Sequence, residues 1–226
     1  MRYVFSIVFL CIAAVVFSGC SILQKKAKSG LQILITNSVP ATVHLDGIYL
    51  EKTPLINQNL QPGTYSIKIQ PDDPNLVSYE TTVTLRPNVL TAVTWKLAER
   101  TELSGGTIYE MEPIANKNKA ELSFTTIPDG AILTCPDRKK QFAPVLLDDV
   151  AAGEFAYETT LPSYEKQQHT IAVVNGYRML ITVKLAKSSL APETDSATPT
   201  ETTPQASDSG AVLGATVQEA STSGKP

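Results

Sequence analysis

Two stretches of the chain, residues 31–97 and 120–185, are 67 and 66 residues long and carry the same succession of turn and apolar residues. After Pro128 a two-residue insertion, Asp129-Gly130, brings Ala131 opposite Ala41, and the offset then holds at 90. It sets Val43 against Leu133, Leu45 against Cys135, Pro54 against Pro144, Leu60 against Val150, Gly63 against Gly153 and Tyr65 against Phe155. Two residues are lost later, so that Lys96-Leu97 matches Lys184-Leu185. Self-similarity on this scale means one structural unit built twice, which rules out folds that need a single large core.

Each unit reads as short strands divided by turns. LQILIT, ATVHLDG, GTYSIKI, YETTVTL and LTAVTWKL in the first copy largely alternate apolar and polar residues, as do ELSFTT, AILTC, EFAYET, HTIAVV and YRMLITVKL in the second. A period of two predicts strands with one buried face. Asp46-Gly47 and Asn175-Gly176 are hairpin signals, the latter of type I′, with Pro87-Asn88 at the corresponding turn of the first copy. No window beyond the N-terminus carries a helical apolar stripe. The expected fold class is all-β: two small tandem β-sandwiches behind an N-terminal signal and ahead of a polar tail. A unit of this size buries only about 60% of the surface its unfolded chain exposes, so each copy needs its neighbour or an edge contact. Residues 98–119 read as a short bent linker, in which TIYEM could add to a sheet edge.

The turn residues also carry a likeness to a known module. Pro128-Asp129-Gly130-Ala131 resembles the Pro-Glu-Gly-Ala signature of PEGA domains, with Asp for Glu. The first copy lacks the middle pair at Pro40-Ala41 but has Asp46-Gly47, Thr53-Pro54 and Leu60-Gln61-Pro62-Gly63-Thr64-Tyr65, which are similar to later marks of that family. In the second copy Ala143-Pro144, Ala152-Gly153 and Pro136-Asp137 stand in those places. The resemblance implies a small β-sandwich used as an accessory module in bacterial envelope and surface proteins, and it implies no catalytic residues.

The first 20 residues have a different character, since 16 of them are hydrophobic. Arg2 and the free amine make a short positive region ahead of the uncharged run YVFSIVFLCIAAVVF, and small Ser18 and Gly19 follow, the layout of an export signal over residues 1–19. FSGC resembles the bacterial lipobox, although Phe17 stands where that pattern prefers Leu or Val. The resemblance implies cleavage ahead of Cys20, lipidation of its thiol, and a spacer over residues 20–30. The competing reading is an uncleaved anchor, because the 22 residues from Tyr3 to Gln24 carry no charge and suffice to cross about 30 Å of hydrocarbon. In a retained helix Lys25, Lys26 and Lys28 would hold that side cytoplasmic, an orientation at odds with the surface-type tail, which favours cleavage.

Residues 187–226 contain five acidic side chains against Lys187 and Lys225, so the net charge of -3 on the whole chain belongs to this stretch. Ser, Thr and Pro dominate it and no aromatic is present, a composition that predicts disorder over residues 186–226. A body of formally balanced charge offers no basic field for nucleic acid. Two histidines and three scattered cysteines are too few for the usual zinc sites.

Other candidate chemistry is thin. His44 and His169 read as exposed strand residues, Cys135 as a strand end, and Arg138-Lys139-Lys140 as a solvated hairpin tip. Asp72-Asp73 and Asp148-Asp149 could offer oxygen ligands to calcium but read as loop residues. No nucleophile, base and oxyanion set assembles, so no catalytic, cofactor-binding or metal residue is expected. Cys20 is the one functional residue. The function expected is that of a non-enzymatic lipoprotein on the cell membrane or outer membrane, held by lipid on Cys20 and touching envelope glycans or surface proteins. The alternative is a small-ligand or solute-binding lipoprotein.

Overall fold

The computed structural model describes residues 27–136 and 138–189, which form strands and a single 3-10 turn, Thr101–Leu103. The first lobe contains β1 (Ser29–Ile35), β2 (Ala41–Leu45), β3 (Ile48–Lys52), β4 (Leu55–Leu60), β5 (Gly63–Pro71), β6 (Tyr79–Leu85) and β7 (Leu90–Lys96). After β8 (Gly105–Pro113), the second contains β9 (Ala120–Ile127), β10 (Ile132–Thr134), β11 (Gln141–Phe142), β12 (Val145–Val150), β13 (Gly153–Thr160), β14 (Gln167–Val173) and β15 (Tyr177–Lys184).

The two lobes share one pairing scheme. β1 lies between antiparallel β4 and parallel β7, and β9 lies between antiparallel β12 and parallel β15. The remaining strands form two four-stranded sheets, β3-β2-β5-β6 and β11-β10-β13-β14. From the second strand on the registers keep the offset of 90, since Val43 faces Ile69 where Leu133 faces Thr159. In the first strand Ile33 faces Leu55 where Phe124 faces Val145, an offset of 91, so the second copy has one residue fewer ahead of Ala131 rather than the two-residue insertion read from sequence. Asp46 and Gly47 both have positive φ, 49° and 77°, as a tight hairpin requires.

Residues 98–119, expected as a bent linker, instead supply the middle strand of the structure. β8 pairs with β7 on one side and β15 on the other, joining both lobes into one sheet ordered β12-β9-β15-β8-β7-β1-β4. The physical reason lies in its two faces, because successive strand residues point to opposite sides. Ile108 joins the core of Leu31, Ile33, Val93 and Trp95, whereas Tyr109 and Met111 pack on the core of Leu122, Phe124, Tyr157 and Ile181. The small sheets therefore cover opposite faces of the seven-stranded sheet. β7 and β15 both run antiparallel to β8, so a half-turn about the β8 axis carries one lobe onto the other.

A further difference concerns Asn175-Gly176. Gly176 alone has positive φ, 83°, and the turn joins β14 in the small sheet to β15 in the large one rather than closing a hairpin. Gly176 N–H donates to Lys119 O at 2.7 Å and its carbonyl accepts from Ile114 N–H at 2.9 Å, so the corner is fixed by the loop that follows β8.

Candidate functional site

A polar concavity lies where the lobes meet, at the end of the sheet where β7 and β15 finish and β8 begins. It holds about 250 Å³ between Thr94, Lys96, Gly105 and Gly106 on the sheet and residues 165–169 leading into β14. Gly106 sits opposite Trp95 in the ladder. A Cβ there would come within 2.1 Å of Thr94 O and 2.7 Å of the Trp95 ring, so glycine is needed for strand packing before any ligand is considered.

The polar groups of the cleft are largely bonded to one another. Lys96 Nζ meets both Glu165 carboxylate oxygens at 2.7 and 2.8 Å, and Gln167 Nε2 donates to Lys184 O at 2.9 Å. Thr107 Oγ1 lies 3.3 Å from both Gln167 Oε1 and His169 Nε2. Behind them the Tyr109 and Tyr157 hydroxyls are 3.1 Å apart, and the Tyr157 ring stacks on His169 at 5.4 Å. Burial pushes both phenol pKa values up and lowers that of His169, leaving a neutral network. A Thr-His pair could in principle be a nucleophile and its base. Thr107 is 0% exposed, however, so its hydroxyl is out of a substrate's reach. The cluster acts as a polar wedge between the sheets.

The first lobe fills the corresponding position differently. Ile35, Trp95, Ile69 and Tyr79 stand where the second has Thr126, Val183, Thr159 and Gln167, and Tyr79 stacks on Trp95 with ring centroids 3.4 Å apart. The Thr126 and Thr159 hydroxyls are buried without a hydrogen-bond partner.

The residues singled out from sequence are dispersed. His44 and His169 are half-buried rather than exposed. Inward-facing Tyr157 and Tyr109 cover His169, whereas His44 packs edge-on against Tyr49 at 6.3 Å with Nδ1 buried. Cys135 is buried, and desolvation raises its thiol pKa, which makes it a poor nucleophile. Asp72 pairs with Lys52 at 2.7 Å, while Asp73 caps Asn75 N–H and its side-chain amide at 2.9 Å each. Asp149 pairs with Lys119 at 3.3 Å. Among the described residues no three His, Cys, Asp or Glu side chains converge as metal ligands. Residues 1–19 and Cys20 lie outside the described residues, as do Asp137 and 190–226.

Sequence reasoning missed Tyr109, Tyr157, Gln167 and the Lys96–Glu165 pair. The available signal was the polar residue on the inward phase of several second-lobe strands.

Residues 32–101 match the PEGA domain. The match covers the first lobe and stops short of β8 and the second. Among solved structures, the Bacillus anthracis TIE protein is similar at 15% identity and a TM-score of 0.24, over 71% of this chain and 34% of that one. The chain therefore spans about a third of that protein's length. None of the curated proteins matches it.

Proposed function

We propose that this chain is a lipid-anchored, non-enzymatic protein of the bacterial cell envelope, with two PEGA-like lobes forming a rigid body for structural or adhesive contact. The carrying observation is the PEGA match at residues 32–101 directly behind an export-type segment ending in FSGC. The repeated strand pairing supports reading the second lobe as a diverged copy of the first. The self-bonded cleft and buried Thr107 support a body without chemistry of its own. In this reading acyl chains on Cys20 fix the N-terminus, and two or three are needed because one holds a protein only marginally. Glycans or surface proteins of the envelope are the contacts.

The test is Cys20→Ala. Wild-type chain partitions into the detergent phase, carries a diacylglycerol mass and accumulates as precursor under globomycin. The variant does none of these. A Cys20→Ala chain still processed and still partitioning into detergent refutes the anchor.

One observation favours a second reading, binding of a small polar ligand: the cleft between the lobes. Its volume of about 250 Å³ lies just below the range of about 300–1,000 Å³ common for ligand pockets. Saccharide binding that is lost in Lys96→Ala would move this reading ahead.

A further inference from the structure

The lobes have a common basal end. β1 and β9 both start there, β8 finishes there, and the half-turn about β8 leaves this direction unchanged. Lys28 lies at this end, its carbonyl accepting from Asn88 N–H at 2.7 Å. The last described residues lie at the opposite end, where Ser188 N–H donates to Ser163 O at 2.9 Å.

The β2–β3 hairpin also points to the basal end. Its turn is braced by Asp46 Oδ1, which accepts from Ser66 N–H at 2.8 Å. Just beyond it Ile48 is 73% exposed and Tyr49 60% exposed. Ile48 faces Leu45 and Tyr49 faces His44 in the ladder, so the two project from opposite flanks of one firm tip. In the second lobe the offset of 90 puts Arg138 and Lys139 in their places, followed by Lys140, all exposed. The half-turn directs both tips the same way. The basal end thus carries an apolar-aromatic tip on one lobe and a cationic tip on the other.

We propose that this basal end is a membrane-contact surface that rests on an anionic phospholipid bilayer, with Tyr49 and Ile48 in the headgroup region and Arg138, Lys139 and Lys140 against lipid phosphates. The inference builds on the lipid-anchored reading. From Cys20 to Lys28 there are eight residue steps, which extend to at most about 29 Å. Any bilayer holding Cys20 is within that reach of the basal end, and Lys25 and Lys26 lie between. The chemistry fits lipid because a phenol prefers the interface between water and hydrocarbon. The apolar residues stand on a projecting tip, a shape suited to entering a bilayer, and each cation near an anionic surface strengthens attachment about five-fold.

The experiment uses the full mature-length chain from residue 20 with Cys20→Ser, so that binding is read without the anchor, and with Tyr49→Trp as probe. Native Trp95, 1% exposed, gives a constant background. On phosphatidylglycerol-containing vesicles with brominated acyl chains, Trp at position 49 is quenched, and high salt abolishes the effect. Lys139→Ala lowers partitioning about five-fold, and Ile48→Ser lowers it further. Trp placed instead at Asn75, at the opposite end, is not quenched. The proposal is overturned if position 49 is quenched no more than position 75, or if the chain ignores these vesicles. It is likewise overturned if soluble polyphosphate and vesicles retain the chain equally with no quenching. A wild-type chain lacking the diacylglycerol mass would refute the anchor separately, since the vesicle measurement does not depend on it.

Discussion

Gly106→Ala tests whether β8 truly welds the two lobes. The added Cβ would meet Thr94 O at 2.1 Å, Trp95 Cα at 2.8 Å and the Trp95 ring at 2.7 Å. Two of these obstacles are main chain, so a rotamer change gives no relief and β7 must part from β8. The least costly relief opens the end of the ladder, at Trp95–Gly106 and Lys96–Gly105. Losing about two ladder hydrogen bonds costs roughly 2 kcal/mol. Exposing about 80 Å² of the Trp95 ring adds roughly 2 kcal/mol at about 25 cal/mol per Å². The expected loss is about 4 kcal/mol, large for a single methyl group. Urea denaturation followed by Trp95 emission reads it directly, because Trp95 is the single tryptophan of the chain. With Cys20→Ser in the chain from residue 20, Cys135 becomes the sole thiol and reports on the second lobe. In the parent chain the two probes report one transition, since β8 belongs to both cores. In Gly106→Ala they separate, with Trp95 exposed first. Stability within about 0.5 kcal/mol of the parent, the size of an ordinary surface change, together with coincident probes, would refute the reasoning.

Three further outcomes follow from the same contacts. Replacing Thr126 and Thr159 with Val removes two buried hydroxyls that have no partner and is expected to be neutral or to stabilise by about 1 kcal/mol; a loss of more than about 1 kcal/mol in denaturant titration would mean that the hydroxyls are satisfied. His169 is held below its ordinary pKa of 6.5 by burial, so the unfolded chain binds the proton more tightly. Its contribution is complete above that value and drains away as pH falls through 6.5 toward the folded pKa, and His169→Gln should flatten this acid slope in thermal melts. Arg178 of β15 bridges Glu112 at 3.0 Å and Glu121 at 2.6 Å, and Arg86 also holds Glu112 at 3.0 Å; Arg178→Ala leaves two carboxylates on the strands that flank β15 and should lower Tm, with the deficit shrinking as salt is added.

The parts of the fold legible in sequence were those with one wet face. The first-lobe strands containing Val43, Ile67, Val83 and Val93 alternate cleanly, and the same pattern recurs in the second lobe. Turn chemistry at Asp46-Gly47 fixed a hairpin within the small sheet, and that at Leu60-Gln61-Pro62-Gly63 fixed where the chain changes sheets. β8 was not legible as the central strand because both its faces are occupied: Ile108 serves one core and Tyr109 the other, so apolarity does not alternate along it. β3, with nearly every residue exposed, lacks the pattern for the opposite reason. The polar wedge was hidden because an inward Thr or His looks the same in sequence as an outward one. Only the register of β14 against β13, with His169 opposite Tyr157, turns it inward.

Sharing β8 also bears on the size of the core that each lobe can build. Each lobe alone has a core of modest size, and β8 supplies each with a further strand and an alternate set of side chains. The same strand carries the electrostatic join: Glu110 accepts from Thr84 N–H of β6, and Glu112 holds both Arg86 and Arg178. These residues stand on the face of β8 turned toward the first lobe, while Thr107 and Tyr109 engage the second. A substitution on either phase of β8 is therefore felt first by one lobe. Because the strand is common, the other lobe loses its neighbour in the same event.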